Sequence, residues 1–172
     1  MAPRALCLLL LAVASPAAAA RTGAPPPAKA VAERLYSGRW YEIARTPNSL
    51  QRACMGSTSD FQNYSDGAFS VVDTCHEGSV TGPAKVLKAR AKMIAGSENT
   101  RFRMAFFGGL IHQEYWILDH ADNDDWAIMA TPGGRYAWLL GRRPVLPPAE
   151  MSAAMARLRQ LGYERLVFPQ HG

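Results

Sequence analysis

The sequence predicts an all-β fold: an eight-stranded antiparallel up-and-down β-barrel with a C-terminal α-helix and a short ninth strand. Three observations predict it. Apolar and polar residues alternate in several short stretches, the period of a half-buried strand. Turn-forming residues, among them 14 Gly and 12 Pro, are frequent enough to separate those stretches. Only one segment, near the C-terminus, changes to helical spacing. An open sheet of that many strands would expose two edges. Closing it into a barrel removes them and leaves an interior sized for one small ligand.

The chain has 172 residues, is 48% hydrophobic and 19% charged, and carries a formal charge of +5. That size suits one domain with one core. The only long apolar run is at the N-terminus. Residues 1–20 read as a cleaved signal peptide: Arg4 is the positive region, Ala5 to Val13 the apolar region, and Ala18-Ala19-Ala20 the small-residue cleavage site. An apolar stretch of about ten residues is too short to span a bilayer of roughly 30 Å. Cys7 lies too early to serve as a lipidated cysteine, so a soluble, exported product without a lipid anchor is expected. Removing 20 of the 172 residues leaves 152, with 18 basic and 14 acidic side chains and a charge of +4.

Residues 21–32 begin as an extended Pro-rich lead-in (RTGAPPPAKA), and the barrel domain is expected over 33–172. Strands are expected at Trp40–Arg45, Ser57–Asn63, Phe69–Cys75, Lys85–Met93, Arg101–Phe107, Glu114–Asp119, Trp126–Ala130 and Tyr136–Arg142. In Lys85–Met93, Lys88, Arg90 and Lys92 form a basic outer face opposite Leu87, Ala89, Ala91 and Met93. Ser65-Asp66-Gly67 reads as a hairpin turn. Pairing about that turn brings Cys54 and Cys75 together at the far end of the hairpin, within a bulge of register. They are the two cysteines left after export, so one disulfide is expected, with two free thiols as the alternative. Pro148 to Leu161 carries Met151, Met155, Leu158 and Leu161 at helical spacing, with two prolines before it and Gly162 after it. A short strand, Arg165–Pro169, is expected to follow.

The stretch Tyr36-Ser37-Gly38-Arg39-Trp40-Tyr41-Glu42-Ile43-Ala44-Arg45 resembles the Gly-x-Trp motif of the lipocalin family, in its bacterial outer-membrane and apolipoprotein D-like branch. Trp138-Leu139-Leu140-Gly141-Arg142-Arg143-Pro144 is similar to the family's third motif. Phe106-Phe107-Gly108 and Tyr115-Trp116-Ile117-Leu118-Asp119 also look like that branch. At the second motif Asp119 is kept, the family's Thr is absent, and Trp126 stands as the candidate for its Tyr. The resemblance spans about residues 33–170 and implies the barrel, with Trp40 plugging its closed end, Arg142 crossing the Trp40 ring and Gly38 allowing close passage of the backbone. Phe61 and Trp138 sit where apolipoprotein D-like proteins place pocket aromatics.

The inward rows name the candidate ligand-binding residues: Phe61, Phe102, Met104, Phe106, Tyr115, Ile117, Tyr136 and Trp138. They either line a cavity or fill a solid core, since any barrel needs an apolar interior. Glu42 shares the Trp40 row and is expected near the floor, with a Tyr or Arg as partner. Asp119, Asp122, Asp124 and Asp125 form an acidic loop without EF-hand spacing. The four histidines lack zinc spacing, and no nucleotide or hydrolase motif occurs. No metal, cofactor or nucleic-acid partner is therefore expected. The basic strand face could weakly attract an anionic membrane surface. The expected function is reversible enclosure of a small hydrophobic ligand, a fatty acid, a lysophospholipid or a similar lipid, in the periplasm or outside the cell. An outer-membrane association and a role in envelope lipid transport or maintenance are what the bacterial branch suggests. The alternatives are an enzyme acting on a bound lipid and a carrier of a tetrapyrrole or pigment.

Overall fold

The computed structural model describes residues 22–64 and 67–171. The expected signal peptide, and Ser65 and Asp66 of the hairpin turn, lie outside the described residues. Eight strands form one closed antiparallel barrel in sequence order. They are β1 (Gly38–Arg45), β2 (Cys54–Asn63), β3 (Ala68–Glu77), β4 (Ala84–Met93), β5 (Arg101–Phe106), β6 (Ile111–His120), β7 (Trp126–Ala130) and β8 (Ala137–Gly141). β8 pairs back onto β1, from Tyr41 opposite Gly141 to Arg45 opposite Trp138. One helix, α1 (Pro148–Gln160), follows.

Alternation divides the apolar residues into two cores. The inner core fills the barrel with Tyr36, Trp40, Phe61, Phe69, Val71, Phe102, Met104, Phe106, Ile117 and their neighbours. The outer core lies between the barrel wall and α1 and holds Ile43, Leu118, Trp126, Ile128, Leu139, Leu146 and Leu158. β7 is buried along its whole length because Ala127 and Met129 face inward while Trp126, Ile128 and Ala130 lie in the core under α1.

Two local features differ from the sequence expectation. The short strand expected at Arg165–Pro169 contracts to a single antiparallel bridge between Arg45 and Val167. Pro169, two residues on, has no N–H to extend the ladder. The Pro-rich lead-in is part of the packed structure. The Ala24 N–H donates to Pro132 O (2.8 Å), Ala28 to Leu118 O (2.8 Å) and Val31 to Glu98 O (3.0 Å). The segment therefore runs along the outside wall from the β7–β8 loop at one end of the barrel to the β4–β5 loop at the other.

Cys54 and Cys75 form a disulfide at the far end of the β2–β3 hairpin. Pairing runs from Asn63 opposite Phe69 down to Ser57 opposite Cys75, and then shifts between Cys54 and Gly56. That bulge brings Cys54 back into reach of Cys75.

Candidate functional site

The closed end is built from the segment just before β1. Glu33–Tyr36 forms a 3-10 turn that carries Leu35 and Tyr36 into the inner core. Gly38 takes φ +72°, and a Cβ there would lie 3.4 Å from the Arg142 guanidinium. Trp40 follows, almost fully buried, with its indole N–H donating to Leu35 O at 3.1 Å. The Arg142 guanidinium lies 3.7 Å from the centroid of the Trp40 ring. Arg142 also donates to Ser37 O (2.5 Å) and Leu35 O (3.2 Å), so it ties the turn to the end of β8. Half-buried, its guanidinium loses hydration, which lowers its pKa from the ordinary arginine value. The Tyr36 hydroxyl donates to the Asn99 carbonyl in the β4–β5 loop. Burial pushes that phenol well above its ordinary range.

Above this floor a chain of aromatic rings climbs the interior. Tyr36 packs on Phe69 (5.0 Å between centroids) and Phe102 (5.5 Å). Phe61 stacks on Phe69 (5.8 Å). Phe102 stacks on Tyr115 (5.7 Å), Tyr115 meets Trp138 edge-on (5.9 Å), and Tyr136 lies 6.4 Å from Trp138. Among the sequence-named candidates, Phe61, Phe102, Met104, Phe106 and Ile117 are buried in the inner core, and Tyr115 and Trp138 are half-buried against it. Tyr136 stands at the mouth, half-buried, with Arg135 over its ring at 5.2 Å. The eight residues thus divide between a packed lower interior and a more accessible upper one.

The upper interior is polar. β1 carries a register shift between Glu42 and Ala44. Ala44 joins the outer core while Glu42 and Arg45 are both buried. Strict alternation from Trp40 would have turned Arg45 outward. Arg45 pairs with Glu42 and donates to Gln51 O (2.8 Å) and Cys54 O (3.0 Å). The Gln51 amide donates to Glu42 at 2.7 Å, and the Trp138 indole donates to Gln51 Oε1 at 2.9 Å. Glu42 is therefore tied to the β1–β2 loop at the mouth rather than to the floor, with Arg45 as its charged partner.

Asp73 faces the same interior. It shares a face with Val71, lies opposite Ser59 on β2 and Leu87 on β4, and accepts a hydrogen bond from the Ser59 hydroxyl at 2.5 Å. Burial, with a smaller contribution from the Glu42 charge, pushes the Asp73 carboxyl up to about 6 against the Ser59 hydrogen bond. Burial, and then the Asp73 charge, push the Tyr115 phenol up to about 12. Sequence reading missed Asp73, Phe69 and Tyr36. Alternation from Phe69 through Val71 to Asp73 was a usable signal. Tyr36 precedes the first strand and lies in no periodic stretch.

The acidic loop is neutralised from its surroundings. Arg157 binds Asp119 (2.6 Å), Lys29 pairs with Asp122, Arg34 lies 2.7 Å from Asp124, and Arg143 reaches Asp125 (2.9 Å). Among the described residues no group of three or more His, Cys, Asp or Glu is arranged to hold a metal ion.

A closed antiparallel barrel of eight strands, plugged at one end by a Trp–Arg pair and packed against α1, defines a small up-and-down β-barrel. Residues 32–171 match the model of the lipocalin-like domain, so the chain belongs to the lipocalin family. It is 26% identical over 138 residues to the outer membrane lipoprotein Blc of Vibrio cholerae, covering 78% of this chain and 80% of that one. It is 29% identical over 132 residues to mouse apolipoprotein D, covering 72% of this chain and 67% of that one. Among solved structures, insecticyanin from the tobacco hornworm superposes with a TM-score of 0.70 at 15% identity, covering 86% of this chain and 84% of that one, a likeness of fold alone. Lipocalins bind small hydrophobic ligands and are generally carriers.

Proposed function

We propose that this protein is an exported carrier that encloses one amphiphilic lipid in the upper half of its barrel. The observation that carries this reading is the division of the interior. Below, Tyr36, Trp40, Phe61, Phe69 and Phe102 pack on one another; above, Leu87, Tyr115 and Trp138 remain half-buried. An acyl chain would lie against the upper rings, with Met104 and Phe106 as walls, while its polar group meets the Glu42, Arg45 and Asp73 side chains. Apolar burial would supply the driving force, about 25 cal/mol per Å². Export is supported by the N-terminal apolar stretch and by the disulfide. An enzymatic alternative using thiol chemistry is disfavoured, because Cys54 and Cys75 are joined to each other.

The mouth suggests where the ligand is collected. Leu50 in the β1–β2 loop is 91% exposed and Leu110 in the β5–β6 loop is 85% exposed, with Phe107 and Ile111 beside it. Arg52, Lys85 and Arg135 are exposed at the same end. Apolar tips among cations suit an anionic lipid surface. The basic face of β4, with Lys88, Arg90 and Lys92 exposed, would add to that attraction.

The test is displacement of a neutral fluorescent lipid analogue from delipidated protein, with native mass spectrometry of protein exposed to a total lipid extract. Micromolar, saturable, one-to-one binding is expected. Protein that neither retains an amphiphile nor binds the analogue overturns the reading, and a coloured purified protein turns it toward a pigment.

A further inference from the structure

The barrel interior contains more negative charge than its own cations balance. β1 contributes Glu42 and Arg45, which pair with each other. The remaining Arg45 contacts are to backbone carbonyls, so its charge is committed to Glu42 and the mouth loop. Asp73 receives one hydrogen bond, from Ser59, and among the described residues no lysine or arginine forms an ion pair with it. The residues directly opposite it, Ser59 and Leu87, carry no charge, and Lys85, two residues from Leu87 on β4, pairs with Glu77 at 3.6 Å and is largely exposed. The neutral Tyr115 phenol stands close enough to feel the Asp73 charge. A half-buried carboxylate with one donor and no ion-pair partner has room for a further donor, and an incoming cation supplies it.

We propose that the ligand presents an ammonium group, held at the Asp73 carboxylate, and that free fatty acids are disfavoured. The proposal rests on the reading that the barrel encloses an amphiphile, and it names the class. A fatty-acid carboxylate entering the upper interior would add a third acid to Glu42 and Asp73 with only Arg45 to offset them. An amine-headed amphiphile instead balances the count at neutral pH, where Asp73, with its value at about 6, is mostly ionised.

Three probes of one chain length separate the two readings: dodecylamine, dodecanol and dodecanoate, each titrated against delipidated protein carrying a neutral environment-sensitive dye. The wild-type protein is expected to bind dodecylamine about tenfold to a hundredfold more tightly than dodecanoate, the range for a hydrogen bond to a charged group. Asp73→Asn keeps the side-chain shape and is expected to erase most of that preference. Dodecanol and dodecanoate binding with no advantage for the amine overturns the head-group assignment and leaves the barrel reading standing. Failure of all three chains to bind overturns both. The wild-type comparison decides the matter even if the variant folds poorly.

Discussion

Trp40 is almost fully buried between the Arg142 guanidinium and the Tyr36 layer, and its N–H is satisfied within the chain by Leu35 O. Its ring is thus part of the wall that closes the barrel. Trp40→Ala should destabilise the protein by roughly 3–5 kcal/mol, the range for a large buried aromatic. Chemical denaturation checks this, and an unchanged midpoint would remove the plug role. Asp73 acts in the opposite sense. Its folded value, about 6, lies above the ordinary 3.8, so the native state holds the proton more tightly. The stability it contributes is therefore present below about 3.8 and is lost as pH rises to about 6. At about 1.4 kcal/mol per pH unit the loss is at most about 3 kcal/mol, and water entering from the mouth reduces it. Melting curves of Asp73→Asn should show a variant more stable than wild type above pH 6, with the gap closing toward pH 4. Parallel curves across that range would mean that the Asp73 carboxyl is solvated.

The β2–β3 hairpin forms one of the two longest ladders in the barrel, with β3–β4, and its disulfide joins the two strands where they leave the sheet at the mouth. The bond closes a segment with a sequence separation of 21. By chain entropy such a loop contributes about 3 kcal/mol. Reduction, or the Cys54→Ser/Cys75→Ser double variant, should lower the denaturation midpoint by that amount, and the unchanged Ser57–Asn63 pairing should keep the barrel's circular dichroism. Most strands were legible because alternation is a property of each strand alone. The paired row Leu87, Ala89, Ala91, Met93 reappears facing inward. β1 was legible only in part. One inserted residue between Glu42 and Ala44 reverses the facing of Arg45, and bulges carry no reliable mark in sequence. The lead-in is legible as extended but not as docked, since its contacts, three backbone hydrogen bonds and the Lys29–Asp122 pair among them, are to residues far along the chain.

For the whole molecule, the two ends of the barrel differ in chemistry. The floor is sealed by side chains and capped by ion pairs of the acidic loop, whereas the mouth exposes Leu50, Phe107, Leu110 and Ile111. If the mouth meets a lipid surface, replacing Leu50 and Leu110 by Ser should reduce co-flotation with anionic vesicles several-fold without changing the melting temperature. Equal flotation of the variant, or flotation that depends only on Lys88, Arg90 and Lys92, would move the contact from the mouth to the β4 face. Both leucines are exposed, so their loss costs little stability, which keeps the vesicle result free of folding effects.

The sequence by itself determined the barrel, its strand order, the disulfide partners and the helix that follows β8, because period, turn chemistry and cysteine number are local or countable. Only the tertiary structure decided how the interior is divided. Closure packs Tyr36, Phe61, Phe69 and Phe102 into one cluster, which makes the named candidates Phe61 and Phe102 part of the floor and inner wall. The same closure turns Glu42, Arg45 and Asp73, from β1 and β3, toward the same interior. There the Glu42 charge adds to the burial that raises the Asp73 carboxyl. A balance of interior charge is a sum over distant positions in three dimensions, so no single stretch of sequence displays it.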